Sequence, residues 1–275
     1  MKYIPVIIVA AIGIVSCKTT SINVAVPDQF ASKATQMKVS GLNGWQFKPQ
    51  INFGNYQTSK VKTGWIVSSG GNDRNSGITN EERLLKVFNM SHDNITTNSK
   101  NKFQYSIQDG NLMADIYCLE KASKEEVTTK TPLGEFSKTK NFQYSFSAAI
   151  LPQTVKDEQW QLVFYNSYDR SKDTARGWFD QPNVEHEGYA TNGKQLIDIR
   201  PIITDRVVGK DGKESKTLVK ILMAYELKIG DGVIGVIDVF NKNVWIYNDL
   251  DNNMKLVVAS ISSAILLRKL ELSHT

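Results

Sequence analysis

Cysteine and histidine are scarce in this chain, two of the first and three of the second, and that scarcity limits the chemistry it can carry. The densest group of metal-ligating types is Glu185-His186-Glu187. In an extended backbone alternate side chains leave on opposite faces, so the two carboxylates and the imidazole cannot converge on one ion. No metal site and no cofactor are expected. Asp249, Asp251, Asn252 and Asn253 offer oxygen ligands, but their spacing misses the calcium-loop pattern, and helix starts use the same residue types as caps. The run from Ser68 to Gly77 is rich in glycine yet lacks the Gly-Lys-Ser/Thr ending that cradles a phosphate, so it reads as a solvated loop. A Gly-x-Ser-x-Gly nucleophile elbow is absent. Of the five tryptophans, Trp178 has the best claim to the surface, because tryptophans in a β-rich domain mostly fill its core. Trp178 lies with His186 and Tyr189 in a long polar segment, and these three form the candidate ligand-binding loop.

Cys118 is the remaining nucleophile, and its neighbours argue against that role. Leu112, Ala114, Ile116 and Cys118 fall on one face of an extended chain, and that face is apolar. Cys118 is therefore expected in the core, as a small hydrophobe.

The elements that must position these residues are mostly strands. Candidate strands begin at Trp45-Gln46-Phe47, Ile51-Asn52-Phe53 and Val61 to Val67, and a short helix is expected over Glu81 to Met90. Phe103 to Ile107 alternates, turns at Gln108-Asp109-Gly110-Asn111 and returns through Leu112 to Leu119 as a hairpin. Phe142 to Phe146 pairs with Leu162 to Tyr165, after a charged stretch from Lys121 to Asn141. Asn166 to Lys194 is the longest irregular segment. Leu196 to Val208, Thr217 to Ile229, Val233 to Phe240 and Val244 to Tyr247 then form a four-stranded meander, in which Pro201 marks an edge or bulge. Met254 to Leu270 closes the chain as a helix. Met254, Val258, Ile261 and Ile265 make one stripe, while Lys255, Ser262 and Lys269 make a narrow polar one.

The amino end carries an address. Met1-Lys2-Tyr3 is a short basic start, and Ile4 to Val15 is an apolar run of secretory-leader length, shorter than the about 20 residues that cross a bilayer. Ile14-Val15-Ser16-Cys17 resembles the lipobox of bacterial lipoproteins. The resemblance implies cleavage before Cys17 and acylation of that cysteine. It extends, in lipobox and β-rich make-up, to outer-membrane lipoproteins of the Bacteroidota. Only the lipobox is specific, and it covers a few residues. Lys18-Thr19-Thr20-Ser21 lacks both an Asp after the cysteine and an acidic run, so the expected place is the outer membrane, facing the periplasm. Residues 1–16 are then the signal peptide, 17–36 a lipidated tether and 37–275 one β-rich domain. Asp173-Thr174-Ala175 resembles the acceptor motif for protein O-glycosylation in the same group, which makes Thr174 a candidate modification site.

Removing the sixteen leader residues leaves 259 of 275, enough for one large domain. At 41% hydrophobic and 22% charged residues the chain can bury a core. The formal charge of +5 becomes +4 without Lys2, and Lys and Arg are scattered, which excludes the clustered basic face of a nucleic-acid binder. The expected fold is mainly β, an antiparallel sandwich or roll with a C-terminal helix packed on it. The expected function is an envelope-anchored binding or structural module, held to the lipid membrane through Cys17, whose partner is a glycan or another envelope protein. The alternative is a hydrolase of envelope polymers that draws its acids from residues 166–194.

Overall fold

A computed structural model describes residues 24, 26–42, 49–64, 99–131, 134–154, 158–169, 171, 185–208 and 214–268. The candidate strands at Trp45 and beyond Gly64, the glycine-rich loop, the helix over Glu81 to Met90, Lys269, and the site residues Cys17, Thr174 and Trp178 lie outside them.

Among the described residues the chain forms one thirteen-stranded antiparallel sheet and two helices. Helix α1 (Asp28–Ala31) precedes β1 (Ala34–Lys38), β2 (Asn52–Phe53), β3 (Tyr56–Thr58) and β4 (Lys62–Thr63). The long strands follow: β5 (Ser99–Asp109), β6 (Leu112–Thr131), β7 (Gly134–Pro152), β8 (Trp160–Asp169), β9 (Glu185–Thr191), β10 (Leu196–Val208) and β11 (Glu214–Ile229). Then come β12 (Gly232–Asp238), β13 (Asn243–Tyr247) and helix α2 (Asn252–Leu266). From β5 to β13 every strand pairs with its sequence neighbour, and β1 adds to the far side of β13. Beyond β5 the path ends in β3 and β2, with β4 also paired to β5. The two ends of this path meet at Ser40 and Asn52, which exchange backbone hydrogen bonds of 2.9 and 3.1 Å. The sheet is therefore a roll brought round to near closure.

What it closes around is α2. From Met254 to Ile265 only Lys255 is not fully buried, so the helix has no solvent face. It touches β5, β6 and β7 on one side and β12 and β13 on the other. The helix lies inside the roll rather than on it, because its apolar residues cover most of its circumference. Burial of each Leu, Ile, Val or Met side chain contributes roughly 1.5–3 kcal/mol. Its serines are satisfied locally: Ser260 donates to the Leu256 carbonyl and Ser262 to the Val258 carbonyl, each at 2.7 Å. Ser262, expected on a polar stripe, is thus buried without an unmet hydroxyl. Asp251 caps the helix, accepting from the Met254 amide at 2.9 Å. On β12, a Cβ at Gly235 would come within 2.9 Å of a Val258 methyl, so only glycine lets the strand approach the helix so closely.

The inner face is built in layers that run across the strands. One joins Tyr105, Ile116, Ile150 and Trp160, and the next joins Phe103, Cys118, Ala148, Leu162, Ala190 and Ile197. All ten residues are buried, and Cys118 is a core residue as expected.

Two connecting stretches turn out to be strand. Residues 121–131 and 134–141 continue the β6–β7 hairpin, with Lys130 placed opposite Glu135 and one register shift after Glu125. Val127, Thr128, Thr129 and Thr131 favour a pleated backbone in spite of the surrounding charge. Within Asn166 to Lys194, Asn166–Asp169 completes β8 and Glu185–Thr191 forms β9. Gly188 and the two glutamates hide that strand from a reading by hydrophobic alternation. Pro201 sits in β10 just past Ile199, where the pairing with β9 ends, so no ladder bond is lost on that side. At the amino end, Phe30 and Ala34 to Gln36, expected in the tether, pack or pair with the sheet.

Burial raises the proton affinity of several groups. It pushes the Tyr56 phenol up to about 12, with Asp109 adding to the shift. It pushes Tyr105 well above the ordinary 10.0, against a smaller opposing effect of the Ser263 hydrogen bond, and Cys118 well above 9.0, with Glu120 adding to the shift. Each group keeps its proton in the fold beyond the pH at which the unfolded chain releases it. The stabilisation is complete below those ordinary values and drains away as pH rises through them toward 12. Denaturant titrations should accordingly give a flat midpoint from neutral pH to 9.0 and a falling one above 10.0, with phenolate absorbance tracking loss of near-UV circular dichroism. A midpoint that holds steady through pH 12 would contradict this assignment.

Candidate functional site: a polar layer at the carboxyl end of the central helix

Above the apolar layers the inner face changes character. The next layer reads Asn101, Glu120, Phe146, Phe164, Gly188, Ile199 and Leu227, and the one above it Ala122, Tyr144, Asn166 and His186. Glu120 continues the inward parity of Ala114, Ile116 and Cys118 and is fully buried. Its carboxylate accepts from the Asn101 amide at 2.6 Å and from the Tyr144 hydroxyl at 3.1 Å.

Arg268 brings the helix end into this region. It continues the buried stripe of Ile261 and Ile265 and is only 5% exposed. Its Nε donates to the Ile265 carbonyl at 3.1 Å, which places a cation on the negative end of the helix. The guanidinium carbon lies 4.4 Å from the ring centre of Phe164, 5.3 Å from Tyr225 and 5.9 Å from Phe146. A second nitrogen donates to the Tyr225 hydroxyl at 3.3 Å. Facing aromatic rings attract a cation, by about 2 kcal/mol when both are desolvated. Gly188 is part of this arrangement, since a Cβ there would stand 2.5 Å from the Phe164 ring.

The residues singled out from sequence are divided by the wall. His186 faces inward and is half-buried, with Nδ1 2.9 Å from the Asn166 side-chain oxygen and its ring 6.5 Å from that of Tyr225. Tyr189 faces outward and is 40% exposed. The two share a strand and not a site. Glu185 and Glu187 lie in the same strand. Among the described residues no group of three His, Cys, Asp or Glu side chains could hold a metal ion.

Arg268, Glu120 and Asn166 were not singled out from sequence. Arg268 lies three residues beyond Ile265 on the buried stripe, and Glu120 two beyond Cys118 on the buried face, so both could have been found by extending those patterns.

At the opposite end of the roll, Glu158, Gln195, Asp251, Asn253, Met254 and Val257 line a shallow depression of about 220 Å³. Its two carboxylates have structural tasks. Glu158 accepts from the Trp160 indole at 3.1 Å and from the Asn192 amide at 3.0 Å, while Asp251 is the helix cap. The polar layer holds hydrogen-bonding groups, a fixed cation and an imidazole, but its nearest thiol, Cys118, is buried one layer below and pushed toward its protonated form. The arrangement can orient hydrogen-bonding groups, and among the described residues it holds no activated nucleophile.

Comparison with protein families, with curated proteins and with solved structures finds no match for this chain.

Arg268→Ala should cost on the order of 2–4 kcal/mol, because it removes the cap and the aromatic stacking and leaves a void. Arg268→Met, which keeps the volume, should cost less. Equal stability of the alanine variant and the parent in urea unfolding would show that the layer does not brace the helix end.

Proposed function

We propose that this protein is an envelope-anchored lipoprotein that acts as a binding or structural module through its exterior. The observation that carries this reading is the filled interior. Among the described residues the inside of the roll is occupied by α2 and inward side chains, and the one depression described is small, with its carboxylates engaged. A ligand-carrying barrel needs an open lumen, and a glycoside hydrolase of the common kind uses two carboxylates across a cleft. A rigid, filled roll instead offers its outer wall and its loops to a glycan or another envelope protein.

The lipobox at Ile14-Val15-Ser16-Cys17 supports the anchored part of the reading, with the outer membrane, periplasmic side, as the place. Among the described residues no helix is long and apolar enough to cross a membrane. The lipid on Cys17 is the attachment in this reading. The partner on the exterior is unidentified.

Cys17→Ala should release the protein from the membrane fraction and leave the precursor uncut. Mass spectrometry of the parent should find diacylglycerol on Cys17. Retention of the alanine variant in the membrane fraction would place the attachment elsewhere.

A further inference from the structure

The stretch after Cys17 does not leave the domain free on a long leash. Phe30 is buried on the outside of the roll, in a cluster with Met223, Ala224 and Val236 that is separate from the core around α2. Val24 and Val26 pack against the same cluster. The Phe30 ring stacks on Tyr247 of β13 with centroids 6.4 Å apart and planes 19° from parallel. Backbone bonds hold both sides of the turn: Ala31 donates to the Pro27 carbonyl at 2.9 Å, and Asn248 to the Lys33 carbonyl at 2.9 Å. The bulge at Met223, where Ile202 pairs with Ala224 but Ile203 with Leu222, adds that methionine to the cluster. Residues from Val24 onward are thus a strap seated across β11, β12 and β13.

We infer that the outer wall formed by β1, β13, β12 and β11 is the face turned toward the lipid leaflet, an inference that rests on the reading of Cys17 as the anchor. Only six residues, seven Cα-to-Cα steps, separate Cys17 from Val24. Fully extended they span about 24 Å, whereas the twenty residues of an undocked tether would span about 70 Å. Twelve strands lie on the path round the roll, and β6 lies six places from β12. At ~4.8 Å between strands such a ring is about 20–25 Å across, before side chains are added. The leash is therefore no longer than the roll is wide, and it leaves from one side. The wall of β6 and β7 is held away from the leaflet, free to meet a partner. The exposed Lys33 and Lys38 flank the strap, which suits an anionic surface.

Energy transfer tests this orientation. The acylated full-length protein is labelled with a donor at Gln36→Cys on β1 or at Gln143→Cys on β7, both exposed positions. It is then bound to phosphatidylethanolamine–phosphatidylglycerol vesicles that carry an acceptor on their headgroups. Cys118 is buried and does not compete for label. Transfer from position 36 should exceed that from position 143, and Phe30→Ala, which unseats the strap, should abolish the difference. Equal transfer from the two positions in the parent would overturn the orientation while leaving the anchor intact, as would an unchanged difference in the Phe30 variant. Failure of the parent to float with vesicles would overturn the anchored reading and the orientation with it.

Discussion

From Leu256 to Ile265 every residue of helix α2 is buried, and a helix of that kind is stable only when something surrounds it. That requirement organises the molecule. The antiparallel sheet must curl far enough to cover the helix on both sides, and the contact of Ser40 with Asn52 is where the curl comes round on itself. Glycine at 235 brings β12 against the helix, while the Trp160, Tyr105 and Phe103 side chains fill the wider space elsewhere. Tyr105 meets Ser263 at 2.8 Å, so even the hydroxyl groups of the interior pair between wall and helix. Helix α2 is thus the element that the earlier strands fold around, and its contacts with β5, β6 and β7 are long-range in sequence.

The same requirement explains where polarity enters. At its carboxyl end the helix exposes carbonyls that need donors; Arg268, just past that end, supplies one, and the wall supplies the aromatic rings on which it stacks. Glu120, Asn101 and Tyr144 satisfy one another one strand further round. A buried charge is tolerated only with partners of this kind. The polar layer therefore belongs first to the stability of the roll, and the outer wall is left as the surface for recognition.

Much of this architecture was visible in residue patterns. The alternation in Phe103 to Ile107 and in Leu112 to Cys118 marks the β5–β6 hairpin and puts Cys118 inside, and the meander from Leu196 to Tyr247 follows from its Gly-Asp-Gly and Asn-Lys-Asn turns. A sandwich and a roll share those patterns, because period-two alternation shows that one face is buried but not what covers it. The hydrophobic circumference of α2 was the discriminating clue, as a helix lying on a sheet needs a solvent side. β9 was illegible because Glu185, His186 and Glu187 carry no apolar alternation, and its inward glycine shows its purpose only once Phe164 is placed opposite. The candidate site was less visible still. His186 and Tyr189 stand on opposite faces of one strand, while Arg268, over the Phe146 ring, and Glu120, opposite Phe146 in the ladder, reach one layer from far apart in the chain.

Enclosure of α2 is the central claim, and native-state hydrogen exchange measures it directly. If the helix is the core of the roll, amides from Val258 to Ile265 should exchange only through global unfolding, with the same free energy and denaturant dependence as the inner strands β6, β7 and β8. Exchange of those helix amides at a distinctly lower free energy than the strands, with little denaturant dependence, would mean that α2 opens on its own, and would contradict a roll built around it.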